Sequence, residues 1–257
     1  MQPHLEPLSP RISVFVSETH RFNTDTILLA HFAAPKRGEK CADFGTGCGA
    51  IPLLWLARYA PARICGVELQ PDACELVQQS IAHCGVEDRL RVIQQDLRLL
   101  PDAKPRDPWL EDCDLISCNP PYKAQGTGIE NPEEGKRLAR HEATCTMEDV
   151  ASAAASCLRY GGRLCICQRP ERLTDILLTL NANGLEPKRL RFVQAREGKA
   201  PKLFLLQARK NGQPGGLVVD PPLIIHNPDG TFTREMLEIY GDYKQAAKGT
   251  ESDDSKG

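Results

Sequence analysis

Asn119-Pro120-Pro121-Tyr122 is the stretch of this chain best equipped to do chemistry. It directly follows Asp114-Leu115-Ile116-Ser117-Cys118, an apolar run that reads as a buried strand. Two consecutive prolines cannot continue a sheet ladder, so the strand must stop there. An amide, a stiff turn and an aromatic ring are thereby set at the carboxyl end of a parallel strand, where open α/β sheets bind ligands. The chemistry suits group transfer to a planar amine. The Asn119 carbonyl and the Pro120 backbone carbonyl can accept both N–H bonds of one NH2 group, leaving its lone pair aimed at an electrophile. The Tyr122 ring can stack on the flat group that carries the amine.

The partner motif is Asp43-Phe44-Gly45-Thr46-Gly47-Cys48-Gly49, between a short strand (Lys40 to Phe44) and an apolar helix (Ala50 to Tyr59). Gly45, Gly47 and Gly49 let backbone approach a nucleotide-type ligand closely at a helix amino terminus. The G-x-G-x-G spacing is not the G-x-G-x-x-G of dinucleotide dehydrogenases. Glu68 and Asp96 end the next two strands, Arg63 to Val67 and Leu90 to Gln95. A carboxylate at the second strand end suits two ribose hydroxyls, and one at the third suits an adenine amine. A solvated loop acid or helix cap is the plainer use of either.

Asp43 to Gly49, Glu68, Asp96 and Asn119 to Tyr122, in this order, resemble the class I S-adenosylmethionine-dependent methyltransferases with an N-P-P-Y motif. Phe22-Asn23-Thr24-Asp25-Thr26-Ile27-Leu28-Leu29 narrows the likeness. So do Arg140-His141-Glu142, Arg169-Pro170-Glu171-Arg172-Leu173 and Pro187-Lys188-Arg189-Leu190-Arg191-Phe192-Val193. Together they resemble the tRNA(Val) adenine N6-methyltransferases, from about Ser9 to about Gly241. Cys48 departs from the small or hydroxyl residue commoner there. The resemblance implies a doubly wound, seven-stranded Rossmann-like α/β sheet with a terminal antiparallel hairpin. It implies S-adenosylmethionine as methyl donor, with S-adenosylhomocysteine as product, and the adenine 3′ of a valine tRNA anticodon as target. Asp43, Gly45, Thr46, Gly47, Gly49, Glu68, Leu69, Asp96, Leu97 and Asn119 would then line the cofactor. Asn119, Pro120, Pro121 and Tyr122 would form the catalytic turn.

With 257 residues the chain can bury one sizeable core. The expected organisation is a strand and helix in 1–35, the methyltransferase domain in 36–210, an extension packed back in 211–243 and a disordered tail in 244–257. Nothing in the sequence is long and apolar enough to span a bilayer. Eleven cysteines, mostly within apolar strands and helices, suit buried reduced thiols in a cytoplasmic protein. No C-x-x-C pair is present, so no metal site is expected. Cys165-x-Cys167 is expected to split across the two faces of its strand. A monomer is favoured.

The formal net charge is −2, so an RNA partner must meet a local basic patch. One candidate runs from Lys188 to Lys202, with Lys188, Arg189 and Arg191 expected on RNA. Another is Lys136, Arg137 and Arg140, with His141 as an RNA contact or structural group. A solvated face is the plain alternative for both. Further strands are expected at Arg11 to Glu18, Arg163 to Gln168, Arg189 to Gln194 and Leu203 to Ala208. Further helices are expected at Asn23 to Phe32, Pro71 to Cys84, Met147 to Tyr160 (ended by Gly161-Gly162) and Pro170 to Asn181. Lys123 to Cys145 is irregular and leaves the catalytic edge, which suits a substrate lid. Three rival functions are a protein glutamine methyltransferase acting on release factors, a non-catalytic binding module and a nicotinamide dehydrogenase. The first usually has an amino-terminal helical domain, for which the residues before the glycine-motif strand are too few. The intact tetrapeptide and the glycine spacing speak against the other two.

Overall fold

The computed structural model describes residues 3–120 and 145–243. Pro121, Tyr122, Arg137, Arg140 and His141, the expected lid and the expected tail lie outside the described residues, apart from Cys145. Strands β1 (His4–Pro7) and β2 (Ser13–Val16) form an antiparallel hairpin. Only one strand was expected there. Helix α1 (Thr24–Ala33) follows, then β3 (Lys40–Phe44), α2 (Ala50–Arg58), β4 (Arg63–Glu68), α3 (Pro71–Cys84) and β5 (Leu90–Gln94). Next come β6 (Cys113–Cys118), α4 (Met147–Cys157), β7 (Leu158–Gln168) and α5 (Leu173–Ala182). The chain closes with β8 (Leu185–Gln194), β9 (Pro201–Lys210), β10 (Val218–Ile224) and α6 (Arg234–Tyr240).

The sheet order is β10-β8-β9-β7-β6-β3-β4-β5. Only β9 runs against its neighbours, so β8 and β10 point the same way as β3 to β7. The seven expected strands are present with their antiparallel hairpin, and β10 adds an eighth at the edge. Pro221 and Pro222 fall where the β10 register with β8 breaks, between Asp220 and Leu223. An edge strand tolerates residues without an N–H there, because its outer side has no ladder to complete.

Alternate residues of each central strand feed different cores. Cys41, Ile64, Leu115, Cys165 and Cys167 face α1, α2, α3 and α6. Ala42, Phe44, Cys65, Ile116, Leu164 and Ile166 face α4 and α5. Cys165 and Cys167 thus share a face, contrary to expectation, since a spacing of two returns a strand to the same side. All eleven cysteines are free thiols, and nine are buried.

Helix α4 ends at Cys157, earlier than expected, because Leu158 is buried and already pairs with Cys113. The two glycines sit inside the strand. A Cβ on Gly162 would lie 2.8 Å from the Cys113 carbonyl oxygen, so close approach of two strands requires glycine there.

Candidate active site

Strands β3, β4, β5 and β6 are parallel, so their carboxyl ends share one edge. Beyond β3 the backbone turns through Gly45, Gly47 and Gly49 with φ of 65°, 55° and 81°, the left-handed region that favours glycine. The Gly45 and Thr46 N–H groups donate to the Val67 carbonyl at 2.8 and 3.1 Å, tying the turn to β4. A Cβ on Gly45 or Gly47 would meet nothing within 4 Å, so this side of the turn is an open cradle. A Cβ on Gly66 would lie 2.9 Å from the Thr46 methyl, so β4 needs glycine there to seat the turn. Gly49 caps α2 with no side-chain hydrogen bond, leaving that helix terminus to backbone and ligand.

Glu68 is buried at the end of β4. Its Oε2 accepts from the Gly47 N–H at 2.9 Å, and its Oε1 accepts from Leu69 and Gln70 N–H at 2.8 and 3.0 Å. Among the described residues the carboxylate is therefore held by backbone N–H groups, beside the cradle. Leu69 stands 41% exposed next to it, an apolar surface fit to cover a flat ring. Leu97 packs half-buried against the α4–α5 core. Asp96 is placed differently. Its carboxylate takes two-pronged contacts from Arg98 at 2.6 and 3.1 Å and also caps the 97–99 turn. The hydrogen bonds from Arg98 hold its carboxyl below the usual range.

Asp43, at the end of β3, is wholly buried and accepts a 2.5 Å hydrogen bond from Ser117 Oγ, its register partner on β6. Burial pushes its carboxyl up to about 7, against the pull of the Ser117 hydrogen bond, and the nearby Glu68 charge adds to the rise. The buried Thr46 hydroxyl eases the Asp43 charge but makes no hydrogen bond of good geometry to it or to any other described group. Cys48, the departure from the usual residue, is buried in the core shared with α1, α2 and α3.

Asn119 leaves the end of β6 held on both sides of its amide. Its Nδ2 donates to Thr26 Oγ1 at 3.4 Å, and its Oδ1 accepts from Cys167 Sγ at 2.9 Å. Thr26 in turn donates its hydroxyl to Asn23 Oδ1 at 3.2 Å, the same oxygen that caps α1. The Asn23-Thr24-Asp25-Thr26 segment thus acquires a physical purpose: it seats the amide of Asn119. Thr26, Ser117 and Cys167, which hold the candidate residues Asn119 and Asp43, are contacts that sequence reasoning missed.

A family model described as methyltransferase small domain matches residues 12–180. The tRNA1(Val) (adenine(37)-N6)-methyltransferase of Porphyromonas gingivalis is 30% identical over 234 residues, which cover 85% of this chain and 86% of that one. The chain belongs to the tRNA(Val) adenine N6-methyltransferase family. A member from Tolumonas auensis is 27% identical, with 87% and 89% of the two chains covered. Among solved structures, a predicted O-methyltransferase of Agrobacterium tumefaciens matches with a TM-score of 0.66 at 21% identity, over 84% of this chain and 95% of that one. The ribosomal protein L11 methylase of Lactobacillus delbrueckii gives 0.53 at 15% identity, over 81% and 100%. These two likenesses concern the fold alone.

In this methyltransferase the basic segment after α5 divides in two. Arg189 pairs with Asp220 on β10 at 2.6 Å and lies over the Phe32 ring of α1, 4.6 Å from its centroid. Arg191 grips Glu235 of α6 through both prongs at 2.6 and 2.9 Å and donates to the Pro221 carbonyl. Lys188 donates to the carbonyls of Gln213 and Gly215. The three expected RNA contacts on β8 therefore hold the carboxyl-terminal segment to the sheet. No helix among the described residues is long and apolar enough to cross a membrane.

Proposed function

We propose that this methyltransferase transfers a methyl group from S-adenosylmethionine to the exocyclic N6 amine of an adenine in tRNA, the one 3′ of the anticodon of a valine tRNA. One observation carries the reading. An amide fixed on both flanks, Asn119, lies one strand away from an open glycine cradle whose rim holds a buried carboxylate, Glu68. The names of the relatives, tRNA1(Val) (adenine(37)-N6)-methyltransferases, support the choice of acceptor.

The cradle at Gly45 to Gly49 would hold the methionine end of the cofactor, with Asp43 behind it. Glu68 would accept the ribose hydroxyls, and Leu69 and Leu97 would cover the adenine beside Asp96. When bound, S-adenosylmethionine supplies an electrophilic methyl group on a sulfonium. Asn119 Oδ1 and the Pro120 carbonyl would accept the two N–H bonds of the target amine and leave its lone pair directed outward. A carbonyl oxygen has two lone pairs, so Oδ1 can keep the Cys167 hydrogen bond while it accepts another. Holding the amine in line supplies rate by orientation and by charge stabilisation. The methylated nitrogen then sheds one proton to water. Tyr122, outside the described residues, would stack on the adenine, which must leave its neighbours to enter the pocket. An RNA substrate of this kind puts the protein's work in the cytoplasm.

The test is a label transfer. The protein is incubated with S-adenosylmethionine carrying a radioactive methyl group and with either bulk tRNA or a peptide-release factor. Label in tRNA, recovered as N6-methyladenosine, is the expected result, with N6-methyladenosine missing from the valine tRNA of a deletion strain and that tRNA accepting the label. Label in the release factor would move the acceptor to a glutamine amide.

A further inference from the structure

We infer that the turn between β8 and β9, with Arg196 and Lys199, together with Lys202 at the start of β9, is the surface that carries the phosphates of the RNA substrate. The inference rests on the reading of the substrate as RNA and specifies where it docks. Strand β8 runs parallel to β7, β6 and β3, so its turn at 195–200 emerges on the same edge as Gly45, Glu68 and Asn119. Two strands, β9 and β7, separate β8 from β6. At about 4.8 Å per strand the middle of the turn is offset roughly 12 Å sideways from β6. The register sets Asn119 level with Arg191, so the turn begins four residues further along, about 13 Å at 3.3 Å per residue, and lies roughly 18 Å from Asn119. That is close enough for nucleotides flanking the reacting base.

The cations in this stretch differ in their company. Lys188, Arg189 and Arg191 are all engaged within the protein, as above. Arg196, Lys199 and Lys202 are exposed and have no ion pair or side-chain hydrogen bond among the described residues. The turn adds one acid, Glu197, so it keeps a net positive charge. It is also a built feature. Gly198 at φ 72° closes it, with the Lys199 N–H donating to the Arg196 carbonyl at 3.2 Å. The chain beyond β10 buttresses its base, where Ile225 and His226 N–H donate to the Gln194 and Ala195 carbonyls at 2.9 and 3.0 Å. A line of rings runs from there toward the active edge. His226 meets Phe232, Phe232 stacks on Tyr240 at 5.1 Å, and Tyr243 bridges Tyr240 and Phe22. Phe22 adjoins Asn23, the cap whose oxygen receives the Thr26 hydroxyl. The braced cations on β8 thus support the segment that in turn fixes the three unpartnered ones relative to Asn119. A phosphate track needs charges that are free to give up water and counterions, and those are the ones at the turn.

The experiment compares two variants of the full chain. One is Arg196→Gln/Lys199→Gln/Lys202→Gln, and the other is Arg189→Gln/Arg191→Gln. Valine tRNA affinity is measured across a salt series, alongside Tm and S-adenosylmethionine affinity. The turn variant is expected to lose tenfold or more in tRNA affinity at moderate salt. Its log–log salt slope should flatten by about 2, at roughly 0.7 per single-strand phosphate contact. Its Tm and cofactor affinity should stay at wild-type values. The β8 variant is expected to lower Tm and leave the slope unchanged. A turn variant with the wild-type slope overturns the inference, as does a β8 variant that flattens the slope at unchanged Tm. Wild-type protein that binds tRNA without salt dependence, and labels the release factor instead, removes the RNA reading and this inference with it.

Discussion

Glu68 and Asn119 end strands of one sheet, with only β3 between them, yet they are held by opposite means. Three backbone N–H groups fix Glu68, and two of them belong to its own next residues. Among the described residues, the side chains of Thr26 on α1 and Cys167 on β7, 93 and 48 residues away, hold Asn119. The half of the site proposed to hold the cofactor is therefore a local product of chain geometry. The acceptor half is a tertiary product, and single atoms well outside the tetrapeptide can mistune it. Asp43 joins the halves, because it ends β3 and takes its hydrogen bond from Ser117 on β6.

The sharpest way to separate the halves is Asn119→Ala. On the proposed reading it removes an acceptor that would act mainly in the transition state, as one donor of an oxyanion hole does, an effect of about 10²–10³ in kcat. Cofactor affinity should hold at the wild-type value. Single-turnover methylation and calorimetric titration check the two. A loss of less than about tenfold, or roughly 1.4 kcal/mol, would merge the halves and end the catalytic assignment of Asn119.

The joint is tested by pH. The Asp43 carboxyl is raised in the folded protein from 3.8 to about 7, with burial as the main cause. A raised acid keeps its proton on folding, so its stabilising contribution is full below the unfolded pKa and is lost as pH climbs to the folded one. From pH 5 to pH 8 that loss is on the order of 3 kcal/mol at 1.36 kcal/mol per pKa unit. Asp43→Asn retains an acceptor for Ser117 and has no proton to lose. Denaturant midpoints of the two proteins should draw apart in favour of the variant as pH rises. Parallel curves would place the ionisation of Asp43 outside this window.

Glu68→Ala attacks the cofactor half directly. It strips three N–H groups of their acceptor and, on the proposed reading, the ribose of its partner, a cost on the order of 1.5–3 kcal/mol in S-adenosylmethionine affinity. Asp96→Ala should cost less, because Asp96 must first release Arg98 before it serves an adenine. Arg98→Ala should accordingly bind the cofactor at least as well as wild type. Titrations in which Asp96→Ala is the worse of the two would show that strand-end position outranks preorganisation.

The same contrast explains what the sequence disclosed. The glycine turn was legible because positive φ at three positions demands glycine, and Glu68 because its place at a strand end is a local fact. Lys40–Phe44 and Pro71–Cys84 stand as read, since apolar pattern and a first-turn proline mark them. Thr26, Ser117 and Cys167 were silent, because their partners lie 48 to 93 residues away and no local pattern encodes the meeting. Gly161-Gly162 misled for a related reason. They answer to the Cys113 carbonyl on the neighbouring strand, not to a helix end. The β8 cations read as one patch with those of the turn, and only their partners in the carboxyl-terminal segment, two carboxylates for the arginines and two backbone carbonyls for Lys188, separate the two sets.

The smallest expected effect falls on Cys167, the neighbour that most plainly makes the acceptor half tertiary. Its thiol donates to the same Asn119 oxygen that would receive the target amine. Cys167→Ala removes that donor and leaves the amide freer to rotate, while Thr26 still holds its nitrogen. The loss of one such hydrogen bond is worth about 0.5–1.5 kcal/mol, or between twofold and tenfold in kcat. Cofactor affinity should not move, since Cys167 lies on β7 and Glu68 on β4. Cys167→Ser supplies an O–H donor from nearly the same position and should recover part of the loss, which a purely space-filling thiol would not predict. The measurement is kcat and KM for tRNA with all three proteins. If Ala and Ser variants fall equally, or if KM rises while kcat stands, Cys167 packs the sheet without positioning Asn119.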